Sequence, residues 1–294
     1  MTTLATPPDV EFTDLATGDP DETTAAGSST WYFRGHNFVL AWTTMVAGDV
    51  LERGDQPDEY VAILPYESCS VEVRAGEETE PVSGKAVVMV PPGSSAIVAV
   101  EDCVVVRLFS SRSTDLLDKA RNRDAYREPH PNVAPFAPWP DPPEGFRIRA
   151  YRLADLEVTQ DAVRPGQIVR CSTFMVNFLA PRIGPRDPDN LSPHDHDDFE
   201  QCSLAVEGEY VHHLRTPWSK RRSEWREDRH LECGSPSVAV IPPPMIHTSE
   251  AVGAGANQLI DIFCPPRLDF SQTPGRVLNE DTYPLPNQQG KVPS

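Results

Sequence analysis

Proline constrains this chain more than any other residue: it fills 31 of 294 positions, about twice the usual share of roughly 5%. Its ring fixes φ, removes a backbone donor and clashes with the preceding turn, so long helices are disfavoured. The prolines gather near the N-terminus, in a middle stretch (129–143, PHPNVAPFAPWPDPP) and near the C-terminus (274–293). Between them lie short runs rich in Val, Ile and Phe, such as YVAILP, KAVVMVPP, CVVVRLFS, IVRCSTFMVNFL, SVAVIPPP and LIDIFCPP. Runs of this length bounded by Pro, Gly and Asp read as strands. Only 113–127, STDLLDKARNRDAYR, is spaced for a helix, with Leu116, Leu117, Ala120 and Tyr126 on one face. The chain is expected to be mainly β.

Charge narrows the partners. Lys plus Arg number 26 against 44 Asp plus Glu, a formal charge of −18. Nucleic acid is disfavoured, because phosphate binding needs clustered cations. No apolar run approaches the roughly 18 residues of a membrane helix. The N-terminus has neither the basic start nor the apolar stretch of a secretory signal. The six cysteines are scattered with no C-x-x-C pair, which gives neither a zinc ribbon nor a disulfide framework. These features make a cytoplasmic protein the expectation.

An internal repeat organises the strands. Glu59-Tyr60-Val61-Ala62-Ile63-Leu64, then Gly84 and KAVVMVPPGSSAI, is matched by Glu200-Gln201-Cys202-Ser203-Leu204-Ala205, then Gly234 and SPSVAVIPPPMIHTS. The offset is 141 from Glu59 to Glu200 and 151 from Pro91 to Pro242, so the second copy carries about ten extra residues, placed at 217–229. Two β domains of similar plan are expected, with an N-terminal arm (1–29) too poor in large apolar groups to order itself. The N-terminal barrel is placed at 30–112, the helix and proline-rich linker at 113–145, the C-terminal barrel at 146–270 and a tail at 271–294.

The chemistry lies in the second copy. His194, His196 and Glu200 are spaced 0, 2 and 6, so on a strand all three side chains share a face. His247 follows the turn Pro242-Pro243-Pro244, 47 residues after Glu200. Imidazoles plus one carboxylate suit a divalent Fe, Mn, Ni or Zn ion and leave positions open for substrate.

HDHDDFE, Gly208 and Gly234…PPPMIH resemble the two cupin motifs, and the duplicated layout is similar to a bicupin. The resemblance covers roughly residues 30–270 and implies two tandem jelly-roll barrels. It also implies one metal per chain, held by His194, His196, Glu200 and His247. The spacing from Glu200 to Gly208 is one or two residues wider than the family pattern. In the first copy Arg53, Asp55 and Ala96 fall opposite His194, His196 and His247, which implies a metal-free N-terminal barrel.

Further residues are candidates around that site. His212 and His213 are neighbours on a strand, so one faces inward and is an acid–base candidate. Arg170 and Asn177 have opposite parity, so at most one faces the cavity to hold a substrate carboxylate or carbonyl. Cys202 shares the parity of Glu200 and is expected to fill the barrel. The basic-aromatic insertion from Trp218 through Trp225 to Asp228 reads as a lid, a subunit contact or a solvated hairpin. His36 and His130 receive no role. Apolar pocket walls (Phe174, Phe178, Leu204, Met245, Ile246, Phe263) slightly favour a dioxygenase for a small oxygenated molecule. A metal-dependent isomerase, decarboxylase, lyase or hydrolase, and a non-catalytic binding protein, stay open. A homodimer is expected, because barrels expose sheet edges and two-fold closure is the commonest symmetry.

Overall fold

The computed structural model describes residues 9–159 and 165–286. It is all-β: two tandem jelly-roll barrels, each made of an inner sheet that faces the other barrel and an outer sheet that covers it. In the N-terminal barrel the inner sheet runs Arg149–Arg152, Ala86–Val90, Tyr60–Leu64, Cys103–Ser110, Phe38–Met45, Ser29–Arg34, Glu22–Thr23. Its outer sheet runs Val50–Gln56, Gly93–Ala99, Ser70–Ala75, Glu78–Ser83. In the C-terminal barrel the inner order is Glu11–Asp14, Ser237–Ile241, Gln201–Glu207, Ala256–Phe263, Met175–Leu179, Gly166–Arg170. Its outer order is Arg229–Cys233, Tyr210–Arg215, Ile246–Ala251.

Strand parity divides the apolar residues between two cores. Tyr60, Ala62 and Leu64 fill their own barrel, whereas Val61 and Ile63 join one cluster with Val169, Val176, Leu204, Ile260 and Ile262 of the other barrel. Both faces of the inner strands are therefore buried. That explains why these strands read as unbroken apolar runs rather than alternating ones.

Four expectations change. The N-terminal arm is ordered from residue 9: Glu11–Asp14 pairs antiparallel with Ser237–Val240, and Val10 and Leu15 are buried. The sheet edge at Ser237–Ile241 offers unpaired backbone groups, and pairing satisfies them whatever the composition of the added segment. Residues 1–8 lie outside the described residues. The helix expected over 113–127 breaks into one α-turn, Thr114–Leu117, and one 3-10 turn, Arg123–Tyr126. Tertiary contacts override the local pattern, since Arg121 N–H donates to Tyr32 C=O and Leu116 and Ala120 are buried in the N-terminal barrel. Residues 149–152, assigned by the sequence to the second barrel, form a strand that pairs with Ala86–Met89 of the first. The tail is docked through residue 283, with Val277, Asn279 and Tyr283 buried.

The proline-rich linker runs along the C-terminal barrel, where Ala134 N–H donates to Asp198 C=O and Trp139 N–H to Ser172 C=O. Among the described residues, no helix is long and apolar enough to cross a membrane.

Candidate metal centre

His194 and His247 are paired across the mouth of the C-terminal barrel by two backbone hydrogen bonds, of 3.0 and 2.8 Å. His196 lies 5.0 Å from the His194 ring and 5.1 Å from the His247 ring, stacked on Phe199 at 4.4 Å. One ligand atom from each of these histidines lies within 4.8 Å of the other two, the one such group of three or more His, Cys, Asp or Glu among the described residues. The Nδ1 atoms of His194 and His247 sit 3.0 and 2.9 Å from the carbonyls of Ser192 and Met245. A carbonyl only accepts, so Nδ1 carries the proton and Nε2 keeps the lone pair. A ligating imidazole is commonly anchored in this way by its other nitrogen. Burial pushes the His196 pKa down to about 4, which keeps that ring neutral. The donor set fits a divalent transition metal.

Glu200 does not join the histidines. Between His194 and Glu200 the chain is not a continuous strand; it bends at Asp197–Asp198, and the regular strand begins at Gln201. Period-two parity holds only along extended backbone, so the bend turns Glu200 outward and Gln201 inward. The Glu200 carboxylate accepts the His36 N–H at 2.7 Å and lies 3.2 Å from His36 Nδ1. His36 Nε2 accepts the His130 N–H at 2.8 Å, so the His36 proton is on Nδ1 and donates to Glu200. Both histidines that had no expected role thus sit at the contact between barrels.

Gln201 takes the inward place. Its side-chain Nε2 lies 3.0 Å from Ser203 Oγ and 3.2 Å from the Asp261 carboxylate, which orients Oε1 toward His196 Nε2 at 3.0 Å. Ser203 also donates to Asp261, at 2.9 Å. The sequence signal for this is the wide spacing from Glu200 to Gly208: Gln201 stands one residue nearer that glycine.

A cavity of about 290 Å³ opens beside His194 and is lined by Asn177, Gln201, Asp261, Phe263, Arg267 and Arg276, among others. Of the proposed walls, only Phe263 faces it; Phe174, Phe178, Leu204 and also Cys202 point into the core between the barrels. Met245 packs in a separate cluster with Val10 and Leu214, and Ile246 lines a different cavity. The apolar pocket is therefore corrected to a mixed one, in which two arginines that sequence reading missed stand beside Ile168, Phe263 and Phe270. Asn177 lines it, but Arg170 does not. Arg170 is buried over the Trp139 ring at 5.0 Å and donates to the Tyr283 carbonyl, where it secures the tail.

His212 is the inward member of its pair. It is buried, bonds Ser249 Oγ through Nδ1 at 2.8 Å, and its pKa is pushed down to about 4 by burial. His213 faces outward, 2.8 Å from Glu250 and 2.7 Å from His230. The insertion is an exposed loop in which Trp218 and Trp225 stack at 4.7 Å.

No protein-family model and no curated protein sequence matches this chain. Solved structures share its fold. An oxalate decarboxylase variant of Bacillus subtilis superposes with a TM-score of 0.60 at 14% identity, over 92% of this chain and 83% of that one. The formate complex of Lactobacillus farciminis oxalate decarboxylase gives 0.55 at 14% identity, over 82% and 81%. AerE from Microcystis aeruginosa gives 0.54 at 12% identity, over 88% and 98%.

Proposed function

We propose that the C-terminal barrel is a metal-dependent enzyme centre acting on a small carboxylate. The observation that carries this reading is the convergence of His194, His196 and His247 within 4.8 Å. These imidazoles would hold one divalent ion, which when bound supplies Lewis-acid polarisation of a substrate oxygen. Neutral histidines and a neutral Gln201 compensate none of its charge, and Asp261 is the nearest buried carboxylate of this network. An anionic substrate complements such a site. Arg276 and Arg267, the latter paired with Asp269, line the cavity as donors to an anion, and Asn177 offers an amide to a carbonyl or hydroxyl. Phe263 and Phe270 exclude water from one side. His212, neutral and inward, is the proton-transfer candidate.

Loss of CO2 from a small carboxylate is favoured over oxygen insertion, because two arginines and an amide line the cavity and most of the apolar walls that favoured a dioxygenase face elsewhere. The fold neighbours described as oxalate decarboxylases add weight to that reading. The dioxygenase reading keeps one specific support: a three-histidine set without a carboxylate ligand.

Metal analysis of wild type against His196→Ala tests the centre; equal metal in both would sink it. Incubating the metal-loaded protein with small mono- and dicarboxylates and enols, in air and under argon, separates the reactions. CO2 release without oxygen uptake supports the decarboxylase; oxygen uptake that tracks turnover supports the dioxygenase. The homodimer belongs to the same proposal, and light scattering at micromolar concentration tests it.

A further inference from the structure

In the N-terminal barrel, the positions that hold the histidine cluster in its sister carry a different chemistry. Arg53 stands opposite Ser95 as His194 stands opposite His247. A bulge between Gly93 and Ser95 shifts the register, so Ser95 rather than Ala96 is the counterpart of His247. Tyr60 opens its inner strand where Gln201 opens the other. Arg107 stands opposite Ala62 as Asp261 stands opposite Ser203, and Ala62 and Ser203 follow Glu59 and Glu200 at the same interval. Where one barrel keeps a buried carboxylate behind imidazoles, the other keeps a buried guanidinium.

Arg107 is 6% exposed and shares the inward parity of Val105 and Phe109. Its cross-strand neighbours are Ala41 and Ala62, whose small side chains offer it no polar partner. Among the described residues, no carboxylate lies within ion-pairing distance of Arg107, and its buried Nε has no hydrogen-bond partner. The buried arginines Arg149 and Arg170 differ, since each donates to a carbonyl, of Gly145 and Tyr283. An uncompensated buried cation is costly.

The surroundings do not supply the missing anion. The Arg53 and Arg107 guanidinium groups lie 5.2 and 5.5 Å from the same Phe109 ring, and Arg53 is already neutralised by Asp115. Glu22, the other nearby carboxylate, is bonded to Tyr32 and Lys119. Donors are present instead. Tyr60 stacks on Phe109 at 4.9 Å, and its hydroxyl shares one hydrogen bond with Ser95 at 3.0 Å. Two hydroxyl protons and one mutual bond leave one O–H to donate elsewhere. Burial raises the pKa of Tyr60 and so keeps it a donor. A groove lined by Arg53, Ser95 and Ala96 brings solvent to Ser95.

We propose that the N-terminal barrel is an oxyanion site, binding one small carboxylate or similar anion on the Arg107 guanidinium with the Tyr60–Ser95 hydroxyl pair as second donor. It would bind an anion at the level where the other barrel binds a cation.

Calorimetric titration of malonate, and separately of sulfate, into the full chain tests this at fixed ionic strength. Repeating the titration in His196→Ala removes any contribution from a metal in the other barrel. The expected result is one saturable site per chain that survives His196→Ala. Arg107→Met should weaken it by roughly ten- to a hundredfold, the worth of a charge-assisted hydrogen bond. Preference for malonate over sulfate identifies a carboxylate site, and the reverse identifies a tetrahedral-anion site; either is within the proposal. No saturable binding of either anion, or equal affinity in Arg107→Met, overturns it. If Arg107→Met does not fold, Arg107→Lys decides, since it keeps the charge but loses the planar fork. Unchanged affinity in that variant also overturns the site.

Discussion

Glu59 and Glu200 make the same contact in opposite directions. Each immediately precedes an inner strand of its own barrel and accepts a backbone N–H from a hairpin turn of the other, Ser172 at 3.0 Å and His36 at 2.7 Å. Glu59 also accepts from Ser172 Oγ at 2.9 Å and from the Tyr283 hydroxyl at 2.7 Å. The repeat thus preserves a carboxylate for joining two barrels, not for binding a metal.

Glu200→Ala is therefore expected to keep its metal and lose stability. The His36 N–H and Nδ1–H would lose a buried, charged acceptor, at a cost of roughly 1–3 kcal/mol. Metal per chain and a urea unfolding curve on the same preparation check this. Loss of metal with unchanged unfolding would return Glu200 to the metal centre.

Gln201→Leu should spare metal retention while lowering turnover. The three histidines remain, but Asp261 loses one amide donor and His196 loses its contact with Oε1. The readout is the ratio of metal content to kcat. A variant with full activity would show the amide to be mere filling.

Stability should fall as the medium is acidified from about pH 6.5 toward pH 4. The folded pKa of His212 is depressed to about 4 by burial, below the 6.5 of an ordinary histidine. Between those values the unfolded chain binds the extra proton, so stability is fully present above 6.5 and lost as pH falls through 4. The contribution is on the order of 3 kcal/mol. The fall in unfolding midpoint across this range should be smaller in His212→Gln, with His196 keeping its own share, and parallel profiles would refute the assignment.

A truncation that begins at residue 16 should destabilise the C-terminal barrel. It removes the strand paired with Ser237–Val240 together with buried Val10 and Leu15. Those side chains alone are worth about 3 kcal/mol or more. Thermal melting of the two lengths is the measurement; identical melting would mean the arm merely rests on the sheet.

The sequence by itself determined the two β domains, through proline punctuation, apolar runs and a repeated order of Glu, Gly and Pro-Pro landmarks. It also picked out His194, His196 and His247, because a His-x-His pair and a histidine after a proline turn need only short-range geometry to be recognised. It did not separate Glu200 from Gln201, since a bend at Asp197–Asp198 reverses parity and a bend carries no periodic signal. Only the tertiary structure assigned Phe174, Phe178, Leu204 and Cys202 to the space between barrels. An inner strand with both faces buried is apolar on both, so its pattern does not say which face looks into the pocket. The docking of Glu11–Asp14 was likewise decided in three dimensions. What orders that arm is the open backbone edge of Ser237–Ile241, more than two hundred residues away along the chain.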